Sequence, residues 1–525
     1  MAERPNFLFF VTDQQRADHY GFAGNAQIRT PNLDRLANQG SWWTRCYTAS
    51  PSCMSNRASL MTGRMPSLHG VRFNGIPLDR DSVTFVDLLR DAGYQTTLIG
   101  KSHLQGQSSE KSHAPQISVD PNKHQPSLEL SEAKRSRFGP DDYLSERIQL
   151  WKNADAPLET PRPYYGFDTV EFCLGHGDKV AGHYLHWLEE KKRAGFTLEE
   201  TAPALDVPQL YKPTIPAELY PTTFVAERTC DLLSEYAHSS KPFFIQCSFP
   251  DPHHPFTPPG KYWDMFDPES ITLPSTFKPP SQDAIPPLKH IWQQFESGHA
   301  PERFSHQFVA SKAQAREITA KTFGQIAMVD DAMGQVLARL EDLNLASNTV
   351  VCFITDHGDY LGDHGLFLKG PFQYQSLIRT PFVWLDPLQN HNQGQREALA
   401  STLDVPATIL SRAGLQPYNG MQGIDLLAQD VSQRDYALVE HTNQFVYLGF
   451  DDILSVHTYV DHRWRLSVWQ GQPWGELYDL ESDPQEQENL WACARHAKLK
   501  SELLVKLIHG IQDHGETSPA PSTVS

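Results

Sequence analysis

The sequence predicts an α/β fold in which a large, mixed and mostly parallel sheet is flanked by helices, followed by a smaller C-terminal α+β subdomain. Three observations support this prediction. Short apolar runs alternate with helical patterns along most of the chain. Polar residues capable of chemistry directly follow several of these runs. After about residue 430, closely spaced short strands replace the alternation.

The alternating elements indicate βαβ units and a parallel sheet that is covered on both faces. Such sheets carry their sites beyond the carboxyl ends of the strands. The predicted strands are Phe7–Val11, Thr96–Ile99, Phe243–Phe249 and Val350–Ile354. The predicted helices are Asn32–Gln39, Val83–Ala92, Ala226–Ala237 and Ala327–Leu343.

Two long segments, 105–220 and 268–318, are rich in polar residues and proline and interrupt this alternation. We predict that both are insertions over the sheet edge that face the substrate or form oligomer contacts. The catalytic α/β domain then spans 1–430, and the C-terminal α+β subdomain spans 431–525. Within the subdomain we predict strands Val446–Leu448, Val456–Val460 and Trp464–Trp469, a helix near Lys498–Ile511, and a disordered tail, Glu516–Ser525.

Composition excludes several classes of protein. The 525 residues include 45 Lys+Arg and 63 Asp+Glu, a net charge of −18, which argues against a nucleic-acid binder. A hydrophobic fraction of 39% with 11 Trp excludes global disorder. The seven cysteines are scattered without a CxxC pair, as in reduced compartments. We see no signal-peptide pattern and no apolar run of membrane-spanning length, so we expect a cytoplasmic protein without membrane contact.

Two pairs of polar residues, each of which begins with an aspartate, follow predicted strands. Asp13 and Gln14 follow the first strand, and Asp356 and His357 follow a later one. Two carboxylates, an imidazole and an amide oxygen form a candidate cage for Ca²⁺, Mg²⁺ or Mn²⁺, and the lack of thiolate clusters argues against structural zinc. The alternative is that each aspartate caps the helix that follows it.

Cys53 directly precedes a helical pattern. A thiol at a helix N-terminus lies where the helix dipole favours an anion. Arg57, one turn further on, would hold a bound oxyanion. The alternative is a buried cysteine with a purely structural role.

The segment from Cys53 to Arg64 resembles the signature of the sulfatases of the alkaline-phosphatase superfamily, in which Cys or Ser is followed by x-Pro-x-Arg and then by Thr-Gly-Arg. Ser55 stands where that pattern has Pro, which bears on recognition by the enzyme that oxidises the cysteine to formylglycine. The resemblance extends over nearly the whole chain. Its other motifs include Thr12-Asp13, Thr30–Ala37, Gly100-Lys101-Ser102-His103, Asp251–Pro255, Asp356-His357-Gly358 and Glu476–Leu480.

The resemblance implies a site in which Cys53, as a formylglycine hydrate, is the nucleophile. It implies one divalent cation, Ca²⁺ first with Mn²⁺ or Mg²⁺ as alternatives, whose ligands are Asp13, Gln14, Cys53, Asp356 and His357. By the same resemblance, Arg57 and Lys101 hold the anion, His103 assists hemiacetal breakdown, His253 and Lys369 contact the ester and leaving-group oxygens, and Asn74 binds a nonbridging oxygen. We leave His254 and His176 as structural or solvated side chains.

The function implied by the resemblance is metal-dependent hydrolysis of sulfate esters. The Asp-Gln and Asp-His pairs are more similar to the choline-sulfatase and phosphonate-monoester-hydrolase subgroup than to many other sulfatases. Two alternatives therefore stay open: a phosphonate monoester hydrolase or phosphodiesterase on the same site, and a catalytically silent anion-binding homologue. The expected partners are a small-molecule sulfate, phosphate or phosphonate ester, the formylglycine-generating maturation enzyme, and further copies of this chain in a homo-oligomer.

Overall fold

The computed structural model describes residues 4–108, 127, 138–195, 207, 209–299, 301, 306–388, 394–428 and 434–519. Within them the strands are β1 Asn6–Thr12, β2 Ser41–Tyr47, β3 Gln95–Gly100, β4 Thr169–Leu174, β5 Ala181–Gly182, β6 Phe243–Ser248, β7 Phe308–Val309, β8 Thr349–Thr355, β9 Leu366–Phe367, β10 Arg379–Leu385, β11 Gly394–Ser401, β12 Ala437–Thr442, β13 Ser455–Val460, β14 Trp464–Trp469 and β15 Gly475–Asp479.

The α-helices within the same residues are α1 Pro31–Gln39, α2 Cys53–Thr62, α3 Pro66–His69, α4 Phe85–Asp91, α5 Ile148–Lys152, α6 His183–Arg193, α7 Pro221–Tyr236, α8 Pro286–Glu296, α9 Lys312–Asp342, α10 Gln375–Ile378, α11 Asp404–Arg412 and α12 Ala497–Asp513.

Nine strands form the main sheet in the order β11-β2-β10-β8-β1-β6-β3-β4-β5. β1 lies at its centre and pairs in parallel with β6 and β8. The antiparallel pairs are β10 with β2, β10 with β8, and β4 with β5. Every residue of β1 and β8 is buried, as expected for strands covered on both faces. The predicted fold class is therefore confirmed.

Separate hydrophobic cores fill the two faces of the sheet. On one face, residues of α2, α4 and α11 pack against alternate side chains of β1, such as Phe7 and Phe9. On the other face, residues of α1, α7 and α9 pack against Leu8 and Phe10. This alternation follows from the period of two along a strand. The four predicted strands and the four predicted helices all coincide with elements of the same type.

Several boundaries differ from the prediction. Segment 105–220 includes β4 and β5, which extend the main sheet, and α6, so its described part is not simply an insertion over the edge. Segment 268–318 includes α8 and the start of α9. The prediction missed β2, β10 and β11. In β2 the buried residues are interrupted by partly exposed ones, and in β11 the first five residues are partly or fully exposed, so neither strand has a continuous apolar run.

The C-terminal part contains an antiparallel sheet, β12-β13-β14-β15, against which α12 packs through Leu503 and Leu507. The predicted strand Val446–Leu448 is wrong, because Leu448 has φ 64° in a turn. The additional strands of this sheet are β12 and β15. The prediction of a disordered tail is wrong for Glu516 and Ser518, which bond to Arg64 and Asn419. Residues 520–525 lie outside the described residues.

Among the described residues, each helix is too short or too polar to cross a membrane. The seven cysteines are all free thiols. The division of the chain near residue 430 stays a prediction.

Candidate active site

The site lies at the carboxyl ends of four parallel strands of the main sheet, β1, β3, β6 and β8. Asp13, Lys101 and Asp356 directly follow three of these strands, and His253 lies in the loop after the fourth. Gly100 makes the last turn of β3 possible, because its φ is 104° and a Cβ there would lie 1.8 Å from the carbonyl oxygen of Ser248. Lys101 is thereby turned into the interior of this end of the sheet, where its side chain is fully buried.

Cys53 is the first residue of α2, and the whole helix is buried. The Asn74 side chain holds this helix start: its Oδ1 accepts bonds from the Met54 backbone N–H (3.0 Å) and the Ser52 hydroxyl (2.8 Å). The Thr-Gly-Arg part of the motif ends the helix. Gly63 has φ 65°, and its N–H donates to the Ser59 carbonyl at 2.8 Å. The structure thus places Asn74 beside Cys53 as a support for the helix N-terminus.

Four buried side chains form a cluster that could hold a metal ion. Asp13, Cys53, Asp356 and His357 present ligand atoms that all lie within 4.8 Å of one another. The Nδ1–H of His357 faces the Gly358 carbonyl at 2.9 Å, so its Nε2 carries the free lone pair. That Nε2 lies 3.1 Å from Cys53 Sγ and 3.6 Å from Asp356 Oδ1.

Gln14 lies beside this cluster and offers a further oxygen donor. Its backbone N–H donates to Asp356 Oδ1 at 3.0 Å, with a left-handed φ of 58°. Its side-chain Oε1 is buried and has no hydrogen-bond partner among the described residues. Oxygen donors supplemented by one imidazole nitrogen fit Ca²⁺, Mg²⁺ or Mn²⁺. The orphaned amide oxygen, a group that costs free energy when buried and unpaired, supports the same conclusion. The alternative that the aspartates only cap helices does not hold, since no helix begins at either within the described residues.

Two buried cations neutralise the carboxylates of the cluster. Arg57 donates from Nε to Asp356 Oδ2 at 2.8 Å, and its Nη2 lies 3.4 Å from Asp13 Oδ2. Lys101 pairs with the same Asp13 oxygen. Burial raises the pKa of Asp13, but Lys101 and Arg57 outweigh it and hold that pKa well below its ordinary value. Arg57 therefore contacts two predicted metal ligands. Its contact with a bound oxyanion stays a prediction.

Lys369 is the cation that contacts the candidate nucleophile. Its Nζ lies 2.7 Å from Cys53 Sγ, 3.1 Å from His253 Nε2 and 3.2 Å from His357 Nε2. Burial lowers the pKa of Lys369, but Cys53 and Asp13 raise it above its ordinary value overall. Burial and Asp13 raise the pKa of the Cys53 thiol, but Lys369 and Lys101 bring it below its ordinary value. Lys369 and Cys53 therefore favour an ion pair of ammonium and thiolate.

Two of the predicted histidines, His103 and His253, are held in the neutral form by their surroundings. Burial, reinforced by neighbouring cationic groups, lowers the pKa of His253 and of His103 well below the ordinary range. His253 directs Nδ1 to the His254 carbonyl at 2.5 Å, which leaves Nε2 facing Lys369. His103 has φ 62°, and its Nδ1 is buried without a hydrogen-bond partner among the described residues.

Three residues of the site were not predicted. His176, which the sequence analysis left as a structural or solvated side chain, accepts a bond from Lys101 Nζ at 2.5 Å and stacks on His253 with ring centroids 3.5 Å apart. His254 and Asp359 both contact the side-chain amide of Gln14. His176 could have been found, because it follows β4 at the same end of the sheet. The other two contacts depend on loop conformation.

Comparisons with known proteins match most of the chain. Residues 5–415 match the family model described as sulfatase, and residues 362–513 match one described as the C-terminal part of N-sulphoglucosamine sulphohydrolase. An arylsulfatase of Clostridium perfringens is 29% identical over 506 residues, covering 93% of this chain and 90% of the relative. A choline-sulfatase of Rhizobium meliloti is 23% identical over 497 residues, with coverages of 93% and 82%. The phosphonate monoester hydrolase of Agrobacterium radiobacter has the same fold, with a TM-score of 0.74 at 23% identity and coverages of 99% and 98%.

Proposed function

The chain belongs to the sulfatase family of hydrolases, and we propose that it cleaves sulfate esters with a formylglycine derived from Cys53 and one bound divalent cation. One observation carries this proposal. Cys53 Sγ stands at the N-terminus of a buried helix, within a cluster of metal-ligating atoms and 2.7 Å from a buried lysine ammonium. A purely structural cysteine needs neither neighbour.

The cation would be held by Asp13, Gln14, Asp356 and His357, together with the group at position 53. Ca²⁺ is the first choice because the donors are mainly oxygen, and Mn²⁺ or Mg²⁺ are the alternatives because His357 offers nitrogen. When bound, the cation and the formylglycine hydrate supply an activated hydroxyl that attacks sulfur and a second hydroxyl that allows the sulfate to leave.

The other residues act on protons and charge. Lys369 holds a proton at Nζ and transfers it to the departing ester oxygen, which leaves as the alcohol. His253, neutral and with its free Nε2 facing Nζ at 3.1 Å, orients that ammonium. His103 is neutral with a free Nδ1, so it is available as the base that assists sulfate release. Arg57 and Lys101 neutralise the carboxylates that they contact, and their positive charges stabilise the substrate anion. Asn74 keeps the N-terminus of α2 in place and binds a nonbridging oxygen.

The first alternative is hydrolysis of phosphonate monoesters or phosphodiesters. Such esters and sulfate monoesters are tetrahedral monoanions, and the same cations neutralise both. The pairs Asp13-Gln14 and Asp356-His357 keep this alternative open, because they resemble those of phosphonate monoester hydrolases as well as those of choline-sulfatases.

The experiment combines mass spectrometry with a paired assay. The protein is expressed with a maturation enzyme, and the peptide carrying Cys53 is weighed. Conversion replaces sulfur and two hydrogens by one oxygen. Turnover of 4-nitrophenyl sulfate is then compared with that of a 4-nitrophenyl phosphonate monoester and of a phosphodiester, with Cys53→Ala as the inactive control.

Conversion together with preferred sulfate turnover supports the proposal. Preferred phosphonate or phosphodiester turnover selects the alternative. No turnover of any substrate by the converted, cation-loaded protein would identify a silent homologue. The variant Ser55→Pro restores the family pattern; conversion in this variant alone would show that Ser55 blocks maturation.

Cytoplasmic location and a homo-oligomeric state stay predictions, the first resting on the scattered free thiols.

A further inference from the structure

We propose that Asp359 is a positioning residue that, together with His254, orients the Gln14 amide so that its carbonyl oxygen, and not its nitrogen, is offered to the cation. This inference rests on the proposed function, because that function requires the divalent cation which Gln14 would bind. It goes further by assigning a role to residues outside the ligand set.

Both N–H groups of the Gln14 side-chain amide have a hydrogen-bond acceptor. A primary amide has two N–H donors and a carbonyl oxygen with two lone pairs. Nε2 donates to Asp359 Oδ2 at 2.6 Å and lies 3.1 Å from His254 Nδ1. Both donors are therefore used, and the unused group is the buried Oε1.

Neither partner allows the amide to turn over. Asp359 is an acceptor on both oxygens, since Oδ1 receives the Leu361 backbone N–H at 2.7 Å. It is buried, so its orientation is set by these bonds and not by water. His254 is also buried, and its Nδ1 must carry the lone pair to accept from the amide. A rotated Gln14 would place its oxygen against two acceptors.

The backbone of Gln14 adds a second restraint. Its φ of 58° directs the backbone N–H to Asp356 Oδ1 at 3.0 Å, and Asp356 is itself one of the predicted ligands. The main chain thus approaches the cluster from one side, while Asp359 and His254 hold the far end of the side chain. The orientation of a metal ligand is commonly set in this way by an outer partner.

The test measures binding of Ca²⁺ and Mn²⁺ to the cation-free protein by calorimetry, for wild type, Asp359→Asn, Gln14→Ala and the double variant Gln14→Ala/Asp359→Asn. In Asp359→Asn, the new side-chain amide keeps its oxygen on the Leu361 N–H and presents its NH₂ group to Gln14, which then turns its own nitrogen toward the cation. We expect affinity to fall by roughly 10–100-fold. In the Gln14→Ala background the same change should have almost no further effect.

A swap variant separates positioning from loss of folding. In Gln14→Glu/Asp359→Asn, the carboxylate at position 14 presents an oxygen in either orientation and the amide at position 359 donates to it, so cation affinity should recover. Wild-type affinity in Asp359→Asn would overturn the inference. An undiminished effect in the Gln14→Ala background, or no recovery in the swap variant, would overturn it as well. No binding by wild type would overturn both this inference and the cofactor proposal, whereas each of the other results overturns this inference alone.

Discussion

Replacing Lys369 with methionine tests the chemical role of the lysine at the nucleophile. Methionine has a similar length and no charge, so the buried volume is nearly conserved. In the wild type, Nζ lies 2.7 Å from Cys53 Sγ and 3.1 Å from His253 Nε2. The other buried lysine of the site, Lys101, is bound to Asp13 and His176 and has no contact with Sγ among those described. Within the described site, Lys369 is therefore the candidate proton donor to the leaving group.

The size of the effect follows from this assignment. A positioned proton donor contributes roughly 10²–10⁴-fold to the rate, which corresponds to about 3–5 kcal/mol of activation free energy. The carboxylates of Asp13 and Asp356, which conversion of Cys53 leaves in place, favour the ammonium form of Lys369. We expect kcat for an alkyl sulfate to fall by about 10³-fold, and kcat for 4-nitrophenyl sulfate to fall by less than about 10-fold, because an acidic phenol leaves without a proton.

The assay compares both substrates on the converted, cation-loaded enzyme. Lys321→Met is the matched control: Lys321 is a buried lysine that donates to the Trp263 carbonyl at 2.8 Å, and it lies outside the site. This control should show no dependence on the leaving group. Equal losses for the two substrates in Lys369→Met would refute leaving-group protonation and would assign Lys369 to charge balance alone.

Three further predictions concern stability. Burial raises the pKa of Glu486 to about 7, although Arg465 opposes the shift. The folded state therefore binds a proton on the Glu486 carboxyl more tightly than the unfolded state does. This proton's contribution to the free energy of unfolding is complete below about pH 4.5 and is lost as pH rises through 7. Wild type should therefore lose about 2–3 kcal/mol of unfolding free energy relative to Glu486→Gln between pH 5 and 8, and parallel urea-midpoint curves would contradict this. Gly100→Ala should cost at least about 2 kcal/mol more than Gly93→Ala, because both have positive φ but only position 100 adds a clash with a carbonyl oxygen; equal urea midpoints would exclude the clash. Finally, Ca²⁺ or Mn²⁺ at a hundred times its dissociation constant should raise the unfolding free energy by about 2.7 kcal/mol, measured as a chelator-reversible rise in melting temperature that Asp356→Asn removes; an equal rise in that variant would place the cation elsewhere.

The central part of the fold could be predicted because its chemistry is local. β1 and β8 are buried on both faces, so each reads as one apolar run, and Asp13 and Asp356 follow directly. β2 and β11 escaped prediction because they lie at or next to the sheet edge, where partly exposed side chains interrupt the pattern. Val446–Leu448 was misassigned because three apolar residues in a turn look like a short strand.

The candidate site divides in the same way. The sequence could indicate the residue types, since Cys53, the two Asp pairs and Lys369 match a pattern of motifs. It could not indicate that Arg57 contacts the ligand carboxylates, or that His176 stacks on His253 at 3.5 Å. These contacts join residues far apart in the chain, and their distances depend on how the loops after four different strands pack together.

The sequence by itself therefore determined the fold class, the family and the set of reactive side chains, because hydrophobic periodicity and motif spacing are properties of neighbouring residues. Only the tertiary structure decided which oxygen and nitrogen atoms face the cation and which are held away from it. The Gln14 amide illustrates the difference: its two ends are chemically opposite, and the choice between them is made by Asp359 and His254, more than two hundred residues away, because a buried amide must satisfy its N–H donors where acceptors already stand.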